Sequence, residues 1–168
     1  MLTAHAIATI ALGLLAVAGA AKVVDPEPTS GALRVARLPS GRPLVRGMGG
    51  MELAVAVAAL VGFVPAVGAA MVAYLGFAGF TLWAVKVDRP IQSCGCFGSA
   101  DTPPGIVHVV ANAVSAGALA VLWVAGVGPV PRLGLGASAL FLAFAGLGVF
   151  ATFLLLSVLP RTLGAARP

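Results

Sequence analysis

The sequence predicts an all-helical integral membrane protein with five membrane-spanning helices. Of its 168 residues, 60% are hydrophobic and only 9% are charged, whereas a soluble domain carries about a quarter charged residues. Mean hydropathy is +1.08, and apolar runs of about 20 residues, long enough to cross a bilayer, recur along the chain. The net charge of +5 does not indicate nucleic-acid binding, because the basic residues flank the apolar runs, where they anchor helix ends.

The first apolar segment is roughly Leu2 to Ala21. It ends in Ala18-Gly19-Ala20, which resembles a signal-peptide cleavage site. However, no Lys or Arg precedes the apolar run, as a secretory signal would require. We therefore expect the first helix to be retained in the protein. The lipid bilayer is then an expected binding partner of this chain.

A polar connection, Lys22 to Arg46, follows the first segment. Asp25-Pro26 and Glu27-Pro28 interrupt the helix, because proline disfavours helical geometry in the residue before it. Arginines then alternate with apolar residues. This pattern leaves two alternatives open, a short interfacial helix or a plain loop.

The remaining spans are expected at residues 47–64, 66–87, 105–127 and 133–159. Pro65 ends the second, and Thr102-Pro103-Pro104 is a capping and first-turn signal for the fourth. The fifth is longer than a hydrocarbon core of about 30 Å requires, so it should tilt.

Alternate crossing of the spans places three parts of the chain on one side of the membrane, here called side A. These are the connection 22–46, the connection 88–104 and the C-terminal tail. Every Lys and Arg except Arg132 falls on side A, which would make side A cytoplasmic. Stable disulfides instead belong outside the cytoplasm. Since the only two cysteines, Cys94 and Cys96, also lie on side A, the orientation stays open.

The two cysteines stand in the string Ser93-Cys94-Gly95-Cys96-Phe97-Gly98. A disulfide across one residue is small and strained, and strained, exposed disulfides tend to be labile or catalytic. Gly95 between the cysteines relieves backbone crowding, and Gly98 lets the chain turn again. The positive N-terminal end of the next helix would favour a nearby thiolate.

Three interpretations of this loop remain: a redox-active dithiol, a soft-metal site, or a structural loop with incidental cysteines. Thiolates select soft metals, so Cu(I) could bind both cysteines together with His108. Neither a second cysteine pair nor a methionine cluster supports that alternative, and we do not expect a metal.

Polar residues within the spans are further candidates. His108, Asn112 and Ser115 form one stripe on the fourth span, expected to make interhelical hydrogen bonds rather than a proton relay or ligand site. Glu52 is costly in lipid and should pair with Lys22 or an arginine, as a structural or a functional group. His5 is expected at the interface opposite side A.

Taken together, these motifs resemble the MauE family of methylamine-utilisation membrane proteins, within the DoxX-like group. The resemblance rests on a first helix ending Gly19-Ala20-Ala21-Lys22, then Asp25-Pro26, Glu52 and Cys94-Gly95-Cys96-Phe97-Gly98. It implies a four-helix DoxX-like, MauE-type membrane domain over residues 2–127. The fifth helix, 133–159, extends that domain.

The resemblance also implies roles for individual residues. Cys94 and Cys96 would form the redox pair, with Lys22, Asp25 and Glu52 as its charged surroundings. Gly95, Phe97 and Gly98 complete the motif. Members of the family often have an Arg-Asn pair after the motif. Here Ala111 stands in place of the arginine, so only Asn112 matches.

The expected function is thus a multi-pass plasma-membrane protein that supports thiol–disulfide exchange or the maturation of a partner redox protein. Such a protein could be a thiol–disulfide oxidoreductase, and its partner a thioredoxin-like or secreted redox protein. The sequence requires no cofactor, although a quinone could be the second partner. Two alternatives remain, a non-enzymatic assembly or export factor and a soft-metal or small-solute carrier.

Overall fold

The computed structural model describes residues 1–86 and 104–157. In these ranges the chain forms helices α1 (Leu2–Val24), α2 (Glu27–Val35), α3 (Arg42–Leu60), α4 (Val64–Lys86), α5 (Ile106–Val124) and α6 (Leu135–Ser157). All except α2 are long and apolar enough to cross a membrane. No strand occurs in the described ranges, so the predicted all-helical fold with five spans is confirmed.

Helix α1 is the central element of the fold. Half of its most apolar stretch (50%) is buried inside the protein, compared with 28% in each of α3, α4 and α5 and 11% in α6. Leu12 and Leu15 of α1 are fully buried. A helix that is apolar on all sides can be enclosed in this way by its neighbours.

Four helices surround one apolar core. Helix α1 packs mainly on α3 and helix α4 mainly on α5, while contacts of α3 with α4 and of α1 with α5 close the bundle. The core cluster includes Leu12, Val67, Leu119 and Leu122. This four-helix bundle is the fold that the resemblance to the MauE family implied.

Helix α6 is added to the outside of this bundle, against α1. The two helices approach closely at glycines: a Cβ atom added to Gly13 would lie 2.5 Å from Cγ2 of Val149. Large apolar side chains such as Phe144, Leu147 and Phe150 remain exposed on α6. In a bilayer this face is covered by lipid.

The connection between α1 and α3 contains a short helix, so of the two alternatives for this segment the helical one is present. Pro28 lies in the first turn of α2, where proline's missing N–H costs nothing. Thr29, Ser30 and Ala32 are buried, and Ala32 packs with Ala84 near the end of α4. Helix α2 therefore covers the side A end of α4.

The largest differences from the predicted helix boundaries are at the two ends of the second span. Helix α3 begins at Arg42 rather than at Gly47, because Pro43 occupies its first turn without loss of a hydrogen bond. It ends at Leu60 and is followed by a turn in which Gly62 has a φ of +96°, a conformation that glycine adopts readily. Pro65 consequently lies in the first turn of α4 rather than at the end of the preceding span.

The end of the bundle opposite side A is tied to the turn between α5 and α6. The Nδ1–H group of His5 donates a hydrogen bond of 3.0 Å to the carbonyl oxygen of Pro129. The hydroxyl of Thr9 lies 3.1 Å from the same oxygen. His5 therefore sits at the end where the sequence placed it.

Candidate functional site

A buried ion pair joins α1 to α3. Nζ of Lys22 lies 2.8 Å from Oε2 of Glu52, and the two side chains are only 4% and 9% exposed. Charges in such surroundings are stable only when they are paired and hydrogen-bonded. The sequence prediction that Glu52 pairs with Lys22 or an arginine is confirmed, with Lys22 as the partner.

Two glycines bring these helices close enough for the pair to form. A Cβ atom added to Gly19 would lie 2.6 Å from the carbonyl oxygen of Gly49, and one added to Gly49 would lie 2.6 Å from the carbonyl oxygen of Gly19. Such a Cβ on Gly49 would also lie 2.8 Å from Cβ of Lys22. Each glycine thus faces the residues that carry the ion pair on the opposite helix. Small residues commonly allow this close approach in membranes.

An aromatic ring provides a second contact for the ammonium group. Nζ of Lys22 lies 5.6 Å from the centroid of Phe77 on α4, a distance typical of a cation–π interaction. Phe77 in turn makes an edge-to-face contact with Tyr74, whose hydroxyl donates a 2.6 Å hydrogen bond to the carbonyl oxygen of Ala11. These contacts fix the position of Lys22 between α1, α3 and α4.

The Lys22 side chain also borders a cavity of about 200 Å³ among α1, α4, α5 and α6, here called the inner cavity. Its polar lining includes His108, Asn112 and Ser115 of α5 and Thr152 of α6. The predicted stripe on the fourth span therefore faces one internal space together with Lys22. Polar groups gathered inside a membrane protein commonly mark a functional site.

The buried His108 is also involved in the start of its helix. Its Nδ1 accepts a 3.3 Å hydrogen bond from the backbone N–H of Gly105. Asn112 is half-buried and lines the inner cavity. The interhelical hydrogen bonds expected for this stripe stay a prediction.

Asp25 has a local role. It ends α1, and its carboxylate accepts a 3.2 Å hydrogen bond from the backbone N–H of Glu27. Glu27 itself pairs with Arg42 and Arg34 at the surface. Asp25 therefore shapes the turn into α2, one helical turn from Lys22, and the structure does not place it in the Lys22–Glu52 contact.

The cysteine motif, Cys94-Gly95-Cys96-Phe97-Gly98, lies outside the described residues. The described chain stops at Lys86, the end of α4, and resumes at Pro104, just before α5. His108, in the first turn of α5, and Lys22, in the last turn of α1, both border the inner cavity. The segment that carries the cysteines is thus attached to the end of the bundle where the ion pair lies.

Metal binding at the described residues has no support from their arrangement. Within residues 1–86 and 104–157, no three His, Cys, Asp or Glu side chains are grouped as a metal site would need. The soft-metal alternative depends on Cys94 and Cys96, so the described residues do not test it.

Several residues around the ion pair were not predicted as part of a site. Phe77 and Tyr74 both line the inner cavity. A signal for the ion pair did exist: Gly19 and Gly49 each precede its members, Lys22 and Glu52, by one helical turn. It is weak, because glycine is frequent throughout this chain.

Comparison with known proteins identifies a family. No curated protein and no solved structure is significantly similar to this chain. The model of the family described as "Methylamine utilisation protein MauE" matches residues 1–126. These residues comprise α1 to α5, including Lys22, Glu52 and both cysteines, and leave α6 outside. This multi-pass membrane protein therefore belongs to the MauE family.

Proposed function

We propose that the protein is a membrane thiol–disulfide oxidoreductase in which Cys94 and Cys96 exchange electrons with a thioredoxin-like or secreted redox protein. One observation carries this proposal. The segment that contains the cysteines is attached at Lys86 and Pro104, at the end of the bundle where Lys22, His108 and Asn112 border the inner cavity. The segment that carries the proposed dithiol is thus attached at the end of the bundle that holds these polar side chains.

The chemistry proceeds by disulfide exchange. One cysteine attacks a partner disulfide as the thiolate, and the other resolves the mixed disulfide. A Cys94–Cys96 disulfide forms as the partner disulfide is reduced to two thiols, and the reverse sequence oxidises the partner. The family description suggests that the partner belongs to methylamine utilisation, and this setting is part of the proposal.

Thiol labelling in intact cells tests the site and its orientation. Cys94 and Cys96 are probed with a membrane-impermeant maleimide, with and without prior reduction. We expect labelling only after external reduction, which would place an oxidised pair on the outer face. Protection in intact cells, followed by labelling after lysis without reductant, would instead place free thiols in the cytoplasm and contradict the proposal.

Serine substitutions separate this function from its alternatives. Cys94→Ser and Cys96→Ser should each abolish maturation of the partner. A non-enzymatic assembly factor would tolerate both changes but lose function in Asn112→Leu, which alters the inner cavity. Metal analysis with and without the cysteines separates a soft-metal carrier from both.

A further inference from the structure

A second cavity lies on the other side of the ion pair. It has a volume of about 470 Å³ and is formed by α3 and α4, with α2 at its side A end and α1 at its base. It arises because α3 packs mainly on α1 and α4 mainly on α5. Ala69, Ala73 and Gly76 follow one another along the α4 wall, and their small size leaves the space open. We call this cavity the lateral groove.

The lateral groove faces lipid. Met51 on its α3 wall is 65% exposed and Val72 on its α4 wall is 61% exposed. Both residues lie within membrane-spanning helices, where an exposed side chain meets acyl chains. A molecule that occupies the groove would therefore enter from the bilayer and be largely apolar.

The inner end of the groove has a different chemistry. Lys22 and Glu52 both line it, so an apolar tail alone would leave these groups unused. An ammonium group has three N–H donors, and one of them binds Glu52. Since the Glu52 carboxylate already balances the positive charge of Lys22, an anionic head group is not favoured. The site instead favours a neutral head group that accepts hydrogen bonds.

Aromatic side chains complete the inner end. Phe77 and Phe80 of α4 both line the groove, and Phe77 also contacts the ammonium group of Lys22. Aromatic rings favour flat ring systems through stacked or edge-to-face contacts. The volume lies within the range of about 300–1,000 Å³ that is usual for small-molecule sites.

We propose that the lateral groove binds a lipid-soluble quinone, with its ring beside Lys22 and its tail towards the lipid. This inference rests on the proposed function in one respect, that Cys94 and Cys96 form a redox-active dithiol, which the quinone would oxidise. Two S–H bonds break and one S–S bond forms. The two electrons and two protons reduce the quinone to the quinol. A hydrogen bond from Lys22 to a quinone oxygen would stabilise the negative charge that develops during reduction.

Lys22 is suited to connect the two halves of this reaction. It is one of the residues shared by the lateral groove and the inner cavity. The ammonium group of Lys22 therefore lies between the lateral groove, where the quinone would bind, and the inner cavity, at the end of the bundle to which the cysteine segment is attached. Its role is to position the quinone and stabilise charge.

Binding is tested with purified full-length protein and a short-tailed benzoquinone that carries a photoreactive group. Gly76→Leu should fill the groove, because Gly76 lines it and a Cβ atom added there meets no neighbouring atom within 4 Å. Gly79→Leu is the matched control: it lies on the same helix, is equally free of contacts and does not line the groove. We expect Gly76→Leu to weaken binding by about tenfold or more, Gly79→Leu to bind normally, and cross-links to lie in α3 and α4.

Equal binding by Gly76→Leu and Gly79→Leu, or cross-links spread over the outer face of α6, would overturn the quinone site. So would a groove that holds only phospholipid acyl chains. The Cys94→Ser/Cys96→Ser double variant keeps the two proposals distinct. It should bind the quinone with unchanged affinity but no longer produce quinol anaerobically after reduction. If the wild-type dithiol also produces no quinol while the groove still binds quinone, the quinone is not the oxidant of the dithiol; disulfide exchange with the partner protein is tested separately by the maturation assay of the serine variants.

Discussion

Gly19 of α1 and Gly49 of α3 lie against each other so closely that a Cβ atom on either would come within 2.6 Å of the other's carbonyl oxygen. Both groups in this contact belong to helix backbones, which cannot move aside as a flexible side chain would. The close crossing of α1 and α3 therefore requires glycine at both positions, because any other residue would place a Cβ atom in the contact. The same crossing sets the distance between Lys22 and Glu52.

Gly49→Ala should consequently destabilise the protein. The added methyl group must push α1 and α3 apart, a change that costs about 1–3 kcal/mol. Gly50→Ala is the control, since a Cβ there meets nothing within 4 Å. It should be neutral or stabilising by up to about 1 kcal/mol, because alanine favours a helix over glycine. Thermal unfolding in detergent measures both, and equal melting temperatures would contradict the proposed role of the crossing.

The Lys22–Glu52 pair should behave as a coupled unit. Lys22→Met or Glu52→Met leaves one buried charge without its partner, which costs about 3–5 kcal/mol in comparable sites. The double variant removes both charges and should be clearly more stable than the sum of the single effects predicts. Unfolding of the four proteins in detergent gives the coupling.

A surface pair provides the comparison for that cycle. Arg42 and Glu27 form an ion pair in which the side chains are 68% and 45% exposed. Because solvent screens such charges, Arg42→Met and Glu27→Met should each cost about 0–1 kcal/mol and show little coupling. If the Lys22–Glu52 cycle shows no more coupling than this one, the buried pair does not hold α1 to α3.

Composition and apolar run length were sufficient to predict the five spans, because hydrocarbon thickness dictates helix length. The ion pair was predicted only as one of several pairings for Glu52. To identify Lys22 as the partner of Glu52, one must know where along their lengths α1 and α3 cross, and Gly19 and Gly49 determine that position. The helix start at Arg42 was missed because Pro43 reads equally well as a break and as a first-turn residue.

The lateral groove could not have been predicted. It depends on which pairs among the four helices pack tightly. An apolar residue gives the same sequence pattern whether it packs against another helix or faces lipid. The inner cavity was partly foreseen, since the period of a helix puts His108, Asn112 and Ser115 on one face. The presence of Lys22 at that face follows from tertiary packing alone.

Tyr74→Phe should weaken the contact between α4 and α1. The variant loses the 2.6 Å hydrogen bond to the carbonyl oxygen of Ala11, worth about 0.5–1.5 kcal/mol, and keeps the ring that contacts Phe77. Thr81→Val is the control, since the Thr81 hydroxyl binds carbonyl oxygens of Phe77 and Ala78 within its own helix. Only Tyr74→Phe should lower the melting temperature appreciably. A larger effect of Thr81→Val would show that the interhelical bond does not stabilise the bundle.

The turn between α5 and α6 should loosen when its contacts with α1 are removed. His5→Phe/Thr9→Val deletes both side-chain hydrogen bonds to the carbonyl oxygen of Pro129. Because Arg132 follows in the same turn and is exposed, trypsin should cleave after it faster than in the wild-type protein. The control variant Thr3→Val changes an exposed residue in the first turn of α1. Trypsin should cleave it at the wild-type rate. Unchanged cleavage of the double variant would mean that packing of α6 against Gly13 and Ile10, rather than these hydrogen bonds, holds the turn in place.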